Sequence, residues 1–163
     1  MPWSFKNHPH FTKPKDNNGY FEQMSRIVFS TGLNWNVVEK KWPDIKREFL
    51  NFSVEKVAQF SDFDLKELLN DKKMIRSASK IKAIIKNAKT ILALQKEFGS
   101  VEKYLDTMEK SGVDKLLKDL KKRFSYMGNS TSIMFLYGVG HESPALEKIM
   151  KIYHNKKAPS YRR

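Results

Sequence analysis

Apolar residues recur at three- and four-residue spacings over most of this chain, the period of helices that each bury one face. Tyr20, Phe21, Met24, Ile27, Val28 and Thr31 predict a first helix, closed by Gly32. Trp35, Val37, Val38 and Trp42 predict a second, and Pro43, suited to a first turn, starts a third through Ile45, Phe49 and Leu50. Ser53 and Ser61 are N-cap residues for two short helices, SVEKVAQF and SDFDLKELLN, the second with capping-box spacing to Asp64. The longest helix runs from Ser77 to Phe98, where Ile81, Ile84, Ile85, Ala88, Ile91 and Leu92 form a stripe for burial, and Gly99 ends it. Ser100 caps a further helix to Met108, and Ser143 with Pro144 begins a last one, PALEKIMKIYH. No strand pair and no repeat is visible. The expected fold is all-α, a single-domain helical bundle over residues 20–154, with an extended arm at 1–19 and a basic mobile tail at 155–163.

One stretch, Val113 to Gly140, stands apart. Leu116, Leu117 and Leu120 share a helix face while Lys115, Lys118, Lys121, Lys122 and Arg123 fill the remainder. A turn from Ser125 to Gly128 follows, and Asn129, Ser130 and Thr131 are cap residues ahead of a second apolar run, Ile133 to Tyr137. The result is a helix, a short hairpin and a helix. Backbone N–H groups at the second helix's N-terminus, beside a glycine that allows close approach, suit a phosphate oxygen. A plain helical hairpin with a turn glycine fits the same residues.

Charge separates these readings. Lysine and arginine number 31 against 18 acidic residues, a formal charge of +13 in 163 residues. Such a surface favours a polyanion, with nucleic acid the first candidate and an anionic membrane the second. The approach to the long helix and the helix itself carry Lys72, Lys73, Arg76, Lys80, Lys82, Lys86, Lys89 and Lys96 against one acid, Asp71, which points to a nucleic-acid backbone rather than a mixed solvated face. The basic residues lie on helices that have core faces of their own, which disfavours a free membrane-binding amphipathic segment. There is no apolar run long enough to span a bilayer and no signal-peptide pattern, so a soluble cytoplasmic protein is expected.

The chain has no cysteine, which excludes disulfides, thiolate metal sites and cysteine nucleophiles. His8, His10, His141 and His154 lack the spacing of a helical zinc site. There is no P-loop and no self-sufficient catalytic triad. No metal and no cofactor is expected.

The run YFEQMSRIVFSTGLNW, the following KKW, the F-x-x-x-KVA of Phe52 to Ala58, and IRSASKIKAIIKNAK together resemble the bacterial 3-methyladenine-DNA glycosylase I (Tag) family of the helix-hairpin-helix superfamily. The similarity runs from about Tyr20 to Gly138. It implies an all-helical fold whose hairpin holds the DNA backbone while an alkylated base is flipped out and hydrolysed from its sugar. It also implies a base pocket of Trp35, Ile27, Phe21 and Asn34, with Trp35 stacking on the base. Gly32 and Leu33, with Asn34, would fill the gap left in the duplex. The backbone contacts would come from Lys122, Arg123, Gly128, Asn129, Ser130, Thr131, Arg76 and Lys80. Two departures mark a divergent subgroup without structural zinc: Ile27 stands where the family has a pocket glutamate, and the zinc cysteines and amino-terminal family segment are absent.

No water-activating group is evident. Glu22, which matches a family glutamate of structural role, is the weak catalytic candidate, and Glu39 and Asp44 are near the motif. His141 and Glu142 are rim candidates. The expected function is a monofunctional DNA glycosylase acting on alkylated purines in base excision repair, with duplex DNA as partner, no membrane, and a monomeric state. The alternative is a catalytically silent binder of damaged or bent DNA.

Overall fold

The computed structural model describes residues 12–141 and 143–161, with backbone only from residue 153. Among them are nine α-helices, one fewer than the periodicity predicts, and no strand. The helices are α1 (Asn17–Ser30), α2 (Trp35–Glu48), α3 (Val54–Val57), α4 (Asp62–Asn70), α5 (Ala78–Phe98), α6 (Val101–Glu109), α7 (Val113–Arg123), α8 (Asn129–Gly138) and α9 (Pro144–Tyr161).

Helix α1 is the axis of the molecule. From Tyr20 to Ser30 every residue but Glu22 is buried, because α5, α8 and α2 pack around it. The helix starts three residues earlier than expected, so the arm ends at Asp16, whose carboxylate accepts from the Gly19 N–H at 2.9 Å. Asn17 and Asn18 are poor helix formers, but each caps another element. The Asn17 Oδ1 accepts from the Val101 N–H at 2.9 Å and the Asn18 Oδ1 from the Val54 N–H at 3.0 Å, which secures the starts of α6 and α3. Trp3, Phe5, Phe11, His8 and His10 of the expected arm lie outside the described residues.

Helix α2 corrects a second boundary. Pro43 does not start a new helix; it sits inside α2. An interior proline costs about 3 kcal/mol, and the continuous buried seam of Val38, Trp42 and Ile45 offsets it. The chain then turns through Leu50, Asn51 and Phe52, all left-handed with φ of 53°, 57° and 54°. Three such residues without glycine are strained. The turn is held because it delivers Phe52 into an aromatic stack, 5.2 Å from Trp42 and 5.4 Å from Phe49.

The cap assignments at Ser53, Ser61 and Ser100 hold, with the reciprocal capping box of Ser61 and Asp64 in place, and Ser77, expected as the first residue of the long helix, is its N-cap. At the other end, α9 continues past the expected stop at His154, through Pro159 to Tyr161. Lys156, Lys157 and Ala158 are good helix formers and carry the run.

Candidate functional site

The connection from α7 to α8 is built on α5. Asn87, 1% exposed, accepts the Ser125 N–H at 2.8 Å and donates to the Ser125 carbonyl at 3.1 Å. Thr90 donates to the Arg123 carbonyl at 3.2 Å, and Ser132 donates to the Met127 carbonyl at 2.9 Å. Sequence reasoning missed Asn87, although a polar residue within the buried stripe of α5 is a signal, since a buried amide needs partners. Tyr126 takes a left-handed conformation at φ 64°, and its hydroxyl meets that of Ser79 at 2.7 Å, which ties the hairpin tip to the first turn of α5.

Gly128 is the N-cap of α8, so Asn129, Ser130 and Thr131 form its first turn and do not cap it. No side chain caps this helix. At φ −69° any residue fits, and a Cβ on Gly128 would meet nothing within 4 Å. The fold therefore does not require glycine there. The first-turn amides of a helix have no intrahelical acceptors, a chemistry that suits an anion.

Two of the expected backbone cations are otherwise engaged. Arg123 binds Asp119 at 2.7 Å and Glu97 at 2.9 Å and lies 5.6 Å from the rings of Phe98 and Tyr104. It is a clamp between α5, α6 and α7. Lys80 donates to the Phe29 carbonyl at 3.1 Å and to the Thr31 carbonyl. Helix α1 has no basic residue in its last turn, and Lys80 supplies the cation that its C-terminal carbonyls attract; burial lowers the ammonium pKa. Lys122 and Arg76 are exposed.

Beside the start of α8 lies a cleft of about 850 Å³. One wall is the end of α1 and the junction to α2, with Ile27, Leu33 and Trp35; the other is Ser130, Thr131 and Met134 of α8. The junction turns at Gly32, whose φ of 73° favours glycine. Leu33 is 40% exposed on the rim, and Asn34 caps α2 by accepting from the Asn36 N–H at 2.7 Å. Ile27, Gly32, Leu33, Asn34 and Trp35 thus meet Ser130 and Thr131 at one place, about a hundred residues away in sequence. Since Lys80 reaches Thr31 and Ser79 reaches Tyr126, the N-termini of α2, α5 and α8 gather on this face, and their dipoles add positive potential to it.

Phe21 does not reach the cleft. It is 0% exposed and packs edge-on against Phe52 at 5.5 Å, because it lies about 120° around α1 from Ile27. Glu22 also lies away from the lining. Its carboxylate accepts from the Trp42 indole N–H at 2.9 Å and pairs with Lys46 at 3.1 Å. Glu39 pairs with Arg26 at 2.6 Å and Asp44 with Arg47 at 3.0 Å. The buried Arg26 guanidinium also stacks over Trp42 at 4.5 Å, so this network locks α1 to α2 immediately behind the cleft. His141 is bound at 2.9 Å to Glu109 of α6, and Glu142 lies outside the described residues. Among the described residues no group of three or more His, Asp or Glu is placed to hold a metal ion, and no helix is long and apolar enough to cross a membrane.

Comparison with known proteins bears on this geometry. The methyladenine glycosylase family matches residues 8–134. DNA-3-methyladenine glycosylase of Haemophilus influenzae is 30% identical over 148 residues, covering 78% of this chain and 80% of that protein. DNA-3-methyladenine glycosylase 1 of Escherichia coli is 28% identical over 147 residues, 77% of each. The structure of 3-methyladenine DNA glycosylase I from Staphylococcus aureus superposes with a TM-score of 0.73 at 24% identity, over 86% of this chain and 85% of that one, a likeness of fold.

Proposed function

The chain belongs to the methyladenine glycosylase family, and from that premise we propose that the cleft between α1, α2 and α8 receives a base flipped from duplex DNA. The protein is a DNA glycosylase, a monofunctional hydrolase that cleaves the N-glycosidic bond of alkylated purines of the 3-methyladenine type in base excision repair. The observation that carries the placement is the meeting of Trp35 and Leu33 with the uncapped first turn of α8. Phosphate oxygens bind the amides of that turn, with Gly128 admitting the strand and Lys122 and Arg76 adding charge. Leu33 enters the stack, and the extruded base lies against Trp35 with Ile27 beneath it.

An N3-alkylated adenine is cationic, so Trp35 gives it stacking and a cation–π attraction of about 0.5 to 2 kcal/mol that a neutral base lacks. Flipping itself costs a few kcal/mol and is cheapest at a damaged pair. The protein acts as a monomer in the cytoplasm, where chromosomal DNA is present. The test is release of free base from methylated duplex DNA, followed by chromatography against an enzyme-free control. Release of 3-methyladenine above that control is expected; its absence from DNA that the protein binds would point to a silent binder.

A further inference from the structure

Every described residue lining the cleft is uncharged, and three of its polar side chains are held within the protein. The Ser30 hydroxyl donates to the Arg26 carbonyl and the Thr31 hydroxyl to the Val28 carbonyl, each at 2.7 Å. The Asn34 carbonyl accepts from the Asn36 N–H. The Trp35 ring, the Ile27, Leu33 and Met134 side chains, and Ser130, Thr131 and Asn36 complete the lining. Hydroxyls rotate to donate or accept, and a side-chain amide offers both. None of these distinguishes the donor N6 amine of adenine from the acceptor O6 of guanine, the difference that a fixed carboxylate or ammonium would read.

We infer that this pocket selects its base by positive charge and flat shape rather than by edge hydrogen bonds, and so releases N7-alkylated guanine as well as N3-alkylated adenine. The inference rests on the cleft being the base pocket. Both lesions are cationic purines, and both receive the same attraction from Trp35. The chemistry has the same restriction. Water bonds to deoxyribose C1′ as the C1′–N bond breaks, the bond pair leaves with the base and cancels its charge, and the water's proton passes to solvent. A cationic base leaves without being protonated. A neutral base such as hypoxanthine needs a proton delivered to it, and no acid lines the cleft among the described residues.

The deciding experiment measures release from three duplexes under one set of conditions, carrying 3-methyladenine, 7-methylguanine or hypoxanthine, each against its spontaneous loss. Both methylated purines should be released, with rates per lesion within about tenfold of each other, a difference of about 1.4 kcal/mol, and hypoxanthine should remain. Release of 3-methyladenine with 7-methylguanine at background overturns the inference and leaves the glycosylase reading standing, as does release of hypoxanthine. Release of no base overturns both. An Ile27→Glu variant adds a carboxylate that accepts from N6 and repels O6, so where it folds, the ratio of adenine to guanine product should rise by about tenfold or more. An unchanged ratio in the folded variant counts against charge-based selection.

Discussion

Lys122 and Arg123 are neighbours with different occupations. Lys122 is exposed, whereas Arg123 is held by Asp119, Glu97 and two aromatic rings. Lys122→Ala should leave stability unchanged and weaken binding to all DNA sequences alike, reducing the slope of log affinity against log salt by about 0.9. Arg123→Ala should cost about 1–2 kcal/mol in urea denaturation, a figure kept low because Glu97 is well exposed and its pair is screened. Equal loss of salt slope in both variants would show that Arg123 also reaches phosphate. Trp35 and Trp42 divide in the same way. Trp42 is buried under Arg26 and against Phe52, while Trp35 is half-buried on the cleft. Trp35→Ala should keep nonspecific DNA affinity and lose about 0.5–2 kcal/mol of preference for methylated over unmethylated duplex in competition binding; an unfolded variant would make Trp35 a core residue.

The α7–α8 hairpin is an element that cannot hold its own shape. Its backbone is fixed by Asn87 and Thr90 of α5, and its tip by Ser79. Asn87→Ala would leave the Ser125 N–H and carbonyl without their partner in a buried setting, a loss of about 1–3 kcal/mol. DNA affinity should fall with it, because the amides of α8 lose their position. Gly128→Ala separates the two effects. The backbone there suits alanine and the methyl meets no protein atom, so melting should be unchanged while DNA affinity drops, provided a phosphate approaches as closely as proposed. Unchanged affinity in this variant would move the strand away from α8.

At the scale of the molecule, α5, α6 and α7 are joined through Tyr104, whose hydroxyl donates to Asp119 at 2.5 Å. Burial first, then that hydrogen bond and the negative charge of Asp119, push the Tyr104 pKa far above its usual value near 10. The folded state therefore keeps a proton that the unfolded chain gives up, and the stability from this group, complete below about pH 10, is lost as pH rises above it. Lys80 has the opposite sign, because its lowered pKa relieves a burial penalty as the ammonium deprotonates. Tyr104→Phe isolates the first effect: its stability deficit against wild type should shrink between about pH 10 and 12 in urea denaturation. A constant deficit would mean that the hydroxyl is not so buried. The formal charge of +13 acts over the same scale, as a steep salt dependence of DNA binding.

The sequence by itself determined the helices, most of their caps, the glycine turn at Gly32 and the family, because these depend on residues within a turn or two of one another. The grouping of Ile27, Leu33, Asn34 and Trp35 at one junction was legible for the same reason. Which way each side chain faces across the molecule was not. Phe21 and Ile27 share a helix, yet one meets Phe52 and the other the cleft. Lys80 reads as a phosphate ligand until α1's C-terminus, some fifty residues earlier, claims it. Asn87 has no visible purpose until α7 brings Ser125 to it from 38 residues away. Pro43 marks a helix start in local propensity, and the buried seam through Trp42 overrides it. Only the tertiary structure decided these points, because a polar or charged group settles on the partner that burial leaves it, and burial is a property of the packed whole.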